Sequence, residues 1–260
     1  MKKKQDTSNS IILFMKALKL TLLLSFFHSF LFSQTNEVNR NSFLSTGLIQ
    51  IKEGANFGLV FKGPEINYGM TWYFVNDARL ITYEYELGLE TPFTKGIPAL
   101  GAYLKPVDIA YMFKLPGSLY FGPSLKFEYQ YNLYPDLQSA FDYWFTNFSF
   151  GVNTQYDFKY KKSSFRVKLN SSLLGFVSRQ PDYRGPYFYD IGFAFAIRHL
   201  HQDLRFETVN NYSTSNLEIQ WKPKPGYDIT FGYELSYSRY SRSPEITLVN
   251  HSLKLIFNKK

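Results

Sequence analysis

From residue 42 to the end of the chain, apolar and polar side chains alternate with a period of two. That is the repeat of a β-strand whose two faces meet different surroundings, and helical spacing is nowhere sustained. Segment 81–90 obeys it at every position, with Ile81, Tyr83, Tyr85, Leu87 and Leu89 opposed to Thr82, Glu84, Glu86, Gly88 and Glu90. Segments 119–133, 148–160, 187–197 and 227–237 carry the pattern nearly as cleanly. Weaker matches run over 42–52, 55–62, 65–75, 107–114, 164–177, 216–222 and 246–258.

Turn-forming residues separate these segments at Asn76-Asp77, Pro116-Gly117, Lys161-Lys162-Ser163, Asn210-Asn211 and Pro225-Gly226. The longest connections, 92–98, 133–144 and 178–186, alternate with the tight turns and therefore fall on the opposite side of the sheet. Returning the C-terminus to the tight-turn side requires a short strand over 203–209, paired through Asn210-Asn211. The expected fold is all-β: one antiparallel up-and-down barrel of about twelve strands. Ten to fourteen are allowed, because Gly63-Pro64 reads equally as a turn or a bulge.

Alternation alone does not say which face is outside. The predicted strands are long enough for the about 9–11 residues with which a tilted strand crosses a bilayer. Their apolar face is dominated by Tyr and Phe, 21 and 26 in all, as in interfacial aromatic girdles. The opposite face carries charges within the strand bodies: Glu84, Glu86, Glu90, Lys126, Glu128, Asp157, Lys159, Arg166, Lys168, Asp190, Asp228 and Glu234. Hydrocarbon leaves no backbone polar group a solvent partner, so a sheet persists there only if it closes, with its charged face toward a wet lumen. These residues are the expected lumen lining. The inverted alternative, a soluble barrel with its apolar face inside, would crowd dozens of large aromatics into a small lumen.

The N-terminal third of the chain's first hundred residues is different. Leu20 to Phe32 is an uncharged apolar run behind Lys16 and Lys19, followed by Ser33 and Gln34. This is the layout of a secretory signal peptide over residues 1–33, cleaved after Ser33, with a barrel over 34–260. The run is too short for the about 20 residues of a spanning helix. Met15 begins a signal of ordinary form and is an alternative start. Half of the formal charge of +8 sits in this segment, on Lys2, Lys3, Lys4, Lys16 and Lys19 against Asp6. The rest is spread singly, which argues against a nucleic-acid partner. With no Cys there is no disulfide, thiolate metal site or cysteine nucleophile.

Over residues 42–258 the chain resembles the bacterial outer-membrane β-barrel proteins at superfamily level. Its last segment, with Val249, Leu253, Leu255 and Phe257 on one parity, looks like the C-terminal strand read by the barrel-assembly machinery. Asn258, Lys259 and Lys260 depart from that pattern by following the final aromatic. The resemblance implies export to the cell outer membrane and contact with its lipids.

Chemistry is sparse. His199, His201 and Asp203 share a parity and are the weak catalytic candidates for a lipid-modifying hydrolase or acyltransferase, but no serine completes a triad. His251 and Ser252 are adjacent and would face opposite sides. Glu84, Glu86 and Glu90 form either a cation-attracting lining or a paired acid site, or they meet Lys126, Arg166 or Lys168 in ion pairs that close the lumen. Tyr143, Trp144 and Phe145 after the 136–144 connection belong to a recognition surface or to the girdle. No metal spacing or phosphate-binding loop is present, and no cofactor is expected. Three functions remain open: a narrow channel for small polar solutes or a structural barrel, a membrane-embedded enzyme, and an adaptor of a secretion or envelope-assembly complex.

Overall fold

The computed structural model describes residues 37–54, 58–134, 142–179 and 204–259. The described residues form β1 (Glu37–Glu53), β2 (Leu59–Val75), β3 (Arg79–Glu90), β4 (Phe93–Thr94), β5 (Ile97–Pro98), β6 (Leu100–Leu115) and β7 (Leu119–Leu133). They continue as β8 (Asp142–Tyr160), β9 (Ser163–Arg179), β10 (Arg205–Thr208), β11 (Tyr212–Lys222), β12 (Ile229–Tyr240) and β13 (Ile246–Lys259). Ten long strands pair antiparallel with their sequence neighbours, and β1 joins β13 from Arg40↔Lys259 to Glu53↔Ile246, closing the barrel. β4 and β5 form a two-residue hairpin in one long connection. The fold is the expected up-and-down barrel, with ten wall strands among the described residues.

Two local readings of the chain change. β2 runs unbroken through Gly63-Pro64, with Gly63↔Ile49 and Pro64↔Leu48 in register, so segments 55–62 and 65–75 are parts of one strand where described. Proline is tolerated because its missing donor faces the β3 side, where pairing starts only at Glu65↔Glu90. The short strand near 203–209 exists as β10, but it forms no hairpin. Both β10 and β11 run antiparallel to β9, at Arg205↔Val177 and Ser215↔Ser171, so they are one wall strand interrupted at Val209-Asn210-Asn211. Segment 187–197 lies outside the described residues.

The β2–β3, β6–β7, β8–β9 and β11–β12 turns lie at the end of the barrel where β1 starts and β13 ends. Gly117 takes a φ of 79° in the β6–β7 turn, a backbone region that costs glycine least. The long connections lie at the other end.

Parity decides what each side chain meets. Outward positions expose large hydrophobics on every long strand, from Leu44 and Leu48 on β1 to Leu253, Leu255 and Phe257 on β13, while inward Ser45, Lys126, Glu218 and Lys254 are buried. Near the turn end the outward face is ringed by aromatic pairs. Trp72–Tyr83 lie 5.1 Å apart, Tyr111–Phe113 5.2 Å, Phe158–Phe165 5.1 Å and Trp221–Phe231 5.6 Å. Arg40 and Arg79 sit over the rings of Trp72 and Tyr111 at 5.6 and 5.9 Å. Continuous apolar exposure of this extent is far beyond the few hundred Å² normal for a water-soluble monomer.

A cation on the lipid face should therefore be costly. Leu253→Arg, near the middle of outward β13, is expected to destabilise the vesicle-inserted barrel by about 2–4 kcal/mol, measured by urea unfolding followed by tryptophan fluorescence. The inward neighbour's conservative change, Ser252→Thr, should cost under about 1 kcal/mol.

Candidate functional site

The inward faces stack three levels along the barrel. Nearest the long connections is an apolar layer of Ile49, Ile51, Phe61, Ala99, Tyr134, Phe145, Val177, Tyr212, Tyr240 and Ile246, all buried. These side chains come from almost every strand around the wall, so they meet across the lumen. The Phe61 and Tyr134 rings approach to 4.7 Å, and Phe145 stands 6.3 Å from both Tyr212 and Tyr240. Arg179 and Glu53, both buried, are ion-paired within this level. Phe145 is thus a lumen side chain and neither girdle nor recognition surface, and Trp144 beside it is also buried.

The middle level is ionic. Lys105 is its densest point, with Nζ 2.7 Å from Glu84, 2.8 Å from Glu86 and 3.8 Å from Asp108. Lys126 pairs with Glu128 at 3.0 Å, and Glu128 also accepts from Tyr103 and Asn147 at 2.8 and 3.0 Å. Lys168 reaches Glu218 at 3.4 Å, and Lys254 pairs with Glu234 and lies 3.9 Å from Glu218. Glu65 and Glu90 stand opposite each other in register. Amide donors serve both: Asn250 and Asn67 to Glu65 at 2.7 and 3.1 Å, and Gln130 to Glu90 at 3.0 Å. Gly101 leaves the space that Glu90 and Asn132 occupy, since a Cβ there would overlap both. A cavity of about 120 Å³ remains among these side chains.

The third level opens at the turn end into a vestibule of about 700 Å³, lined among others by Asn39, Asn41, Tyr73, Arg166, Lys222 and Asn258. Arg166 holds Asp157 through two bonds of 2.8 and 3.1 Å, and its guanidinium lies 5.0 Å from the centre of the Tyr73 ring.

Of the residues singled out in sequence, Glu84, Glu86, Glu90, Lys126, Glu128, Lys168 and Glu234 come together in the ionic level, and Asp157 and Arg166 below it. Lys159 reaches only the vestibule mouth and is exposed. Asp228 is exposed in the turn before β12, where its backbone carbonyl accepts from Asn258, so it lines no lumen. Asp190, His199, His201 and Asp203 lie outside the described residues. His251 faces outward against the Tyr233 hydroxyl at 2.7 Å while Ser252 is buried inward, as their adjacency requires.

Sequence reasoning paired the glutamates with Lys126, Arg166 or Lys168 and overlooked Lys105. The register of β6 slips between Leu104 and Val107, at Lys105-Pro106. The bulge sets odd positions inward before it and even ones after it, so a single parity read from Val107 hides Lys105. Lys254, Glu65, Asp108 and Glu218 were legible from parity alone once their strands were counted inward.

A closed barrel with hydrocarbon-like outer walls and ionised inner walls is a transmembrane β-barrel of the outer-membrane architecture. No protein-family model matches the chain, and no curated protein matches it in sequence. Among solved structures it is similar to the outer-membrane protease OmpT of Escherichia coli, at 7% identity and a TM-score of 0.42, covering 87% of this chain and 98% of that one. It is also similar to the translocator domain of the autotransporter NalP of Neisseria meningitidis, at 6% identity and a TM-score of 0.47, covering 93% and 96%.

Lys105 is buried among three carboxylates, and removing a buried charge from its partners costs about 3–5 kcal/mol. Lys105→Met should lower stability in vesicles by that much, and adding Glu84→Gln and Glu86→Gln should recover part of it. Equal midpoints for wild type and Lys105→Met in urea unfolding would count against the network.

Proposed function

We propose that this chain is exported by a cleaved signal over residues 1–33 and serves as a structural barrel of the outer membrane, with its lumen closed to solutes. The observation that carries this is the apolar layer from Ile51 to Ile246, spanned by Phe61, Tyr134, Phe145 and Tyr240, above an ionic level whose charges are engaged with one another. A diffusion path needs a continuous wet lumen. Here a solute would have to displace packed rings, each worth about 1.5–3 kcal/mol in buried area, and then break ion pairs in a confined space.

Membrane placement is supported by the heights of the outward cations. Arg40 and Lys52 both face outward on β1. The steps between them, at about 3.3 Å each on a strand tilted about 40°, come to roughly 30 Å, close to the thickness of a hydrocarbon core. The end with the long connections would face outside and the end with the tight turns the periplasm. Outward Leu253, Leu255 and Phe257 suit β13 for recognition by the barrel-assembly machinery.

Purified protein in planar bilayers should show no regular open steps, while Phe61→Ala with Tyr134→Ala and Tyr240→Ala should raise conductance by clearing the apolar layer. Stable wild-type channels would overturn the closed-lumen reading. The exported form should have an intact mass beginning at Gln34.

A further inference from the structure

Among the described residues the outward cations of the barrel lie toward its two ends, and the two ends treat them differently. At the turn end, Arg40 and Arg79 lie over the rings of Trp72 and Tyr111. At the end with the long connections, the outward cations of the described long strands are Lys52, Lys62 and Arg239, all exposed. They stand on three strands, β12, β1 and β2, with β13 between β12 and β1. Lys52 on β1 stands opposite Thr247 on β13, and Thr247 stands opposite Arg239 on β12, in one row across the wall. Lys62 on β2 stands opposite Gln50, one outward step along β1 from Lys52. Ser213 on β11 extends the row beyond Arg239.

With strands about 4.8 Å apart, Lys52 is rooted roughly 10 Å from Arg239 and roughly 8 Å from Lys62, while Lys62 and Arg239 are rooted roughly 16 Å apart with Lys52 between them. Long flexible arms leaning toward the central Lys52 are able to reach one anionic group of phosphate size. Among the described residues, none of the three is in an ion pair or over an aromatic ring. The nearest exposed acid by connectivity, Glu245, forms no ion pair with any of the three among the described residues. Immediately below the cations, Val249 stands between Gln50 and the exposed Tyr237, and the exposed Leu48 is one outward step further along β1, a surface for acyl chains.

We infer that Lys52, Lys62 and Arg239, with Gln50, Thr247 and Ser213 as supporting polar groups, form an external binding site for the phosphate of a membrane lipid whose chains lie along Leu48, Val249 and Tyr237. Lys52 and Lys62 are diagonal neighbours on paired strands and Arg239 stands one strand beyond, so the three like charges repel one another across the wall. A bound phosphate removes that cost. The site rests on the proposed outer-membrane placement, and the ligand source is the lipid headgroup, with the acyl chains supplying part of the affinity.

The test uses full-length protein in detergent micelles and native mass spectrometry. The probes are diphosphorylated lipid A, the same glycolipid without its phosphates, and inorganic phosphate as competitor. The phosphorylated glycolipid should be retained, and the triple variant Lys52→Gln, Lys62→Gln, Arg239→Gln should bind it at least about tenfold more weakly. Lys161→Gln with Lys162→Gln, at the opposite end, should bind as wild type. Heat-modifiable gel mobility reports whether the triple variant is folded. If it is not, Lys52→Gln with Lys62→Gln carries the same expectation of weakened binding. Unchanged binding by a folded variant, equal retention of the dephosphorylated glycolipid, or full competition by inorganic phosphate would each overturn the site. None of these outcomes bears on conductance, so failure here is distinguishable from failure of the closed-lumen reading.

Discussion

The structure depends on satisfying every backbone donor and acceptor without help from solvent. In hydrocarbon an open sheet edge would leave a row of unpaired amides, each costing several kcal/mol, so the pairing of β1 with β13 from Arg40 to Glu53 is the contact that makes the other strand pairs viable. Once the sheet is closed, alternation has only two destinations. Leu87 and Leu89 must meet lipid, and Glu86 and Glu90 must find partners inside a narrow tube.

That narrowness shapes the interior. Ten tilted strands enclose little more than their own side chains, so carboxylates and ammonium groups placed inward end up in contact. Lys105 is shared by Glu84, Glu86 and Asp108, and Lys254 lies between Glu218 and Glu234. Such pairs do not by themselves stabilise a fold relative to packed hydrophobics, but losing one member leaves a stranded charge. The apolar layer at the end with the long connections follows a different logic. There the inward positions carry Ile51, Phe61, Phe145 and Tyr240, and closure comes from ring packing around one buried Arg179–Glu53 pair.

Much of the architecture was legible in the sequence because a membrane barrel's constraint acts at every second residue. Segment 81–90 announced both its faces, and His251 and Ser252 were correctly sent to opposite sides. What was not legible came from places where the period breaks. The bulge at Lys105-Pro106 reversed the parity of half of β6 and hid the main cation of the lumen. Gly63-Pro64 reads equally as a turn or a bulge, yet Pro64 sits in an unbroken β2 where no ladder donor is needed. The inward apolar layer was missed because Phe61, Phe145 and Tyr240 are chemically indistinguishable from girdle residues. Only register shows that they point inward.

The chain has no cysteine, so single cysteines report position cleanly. The most direct test labels Leu87→Cys and Leu253→Cys, outward, and Ser124→Cys and Ser252→Cys, inward, with a fluorophore in vesicles containing brominated acyl chains. Strong quenching at the first two sites and little at the second two is the result expected of a wall with lipid outside and ion pairs within. Quenching of the inward pair, with the outward pair untouched, would contradict it.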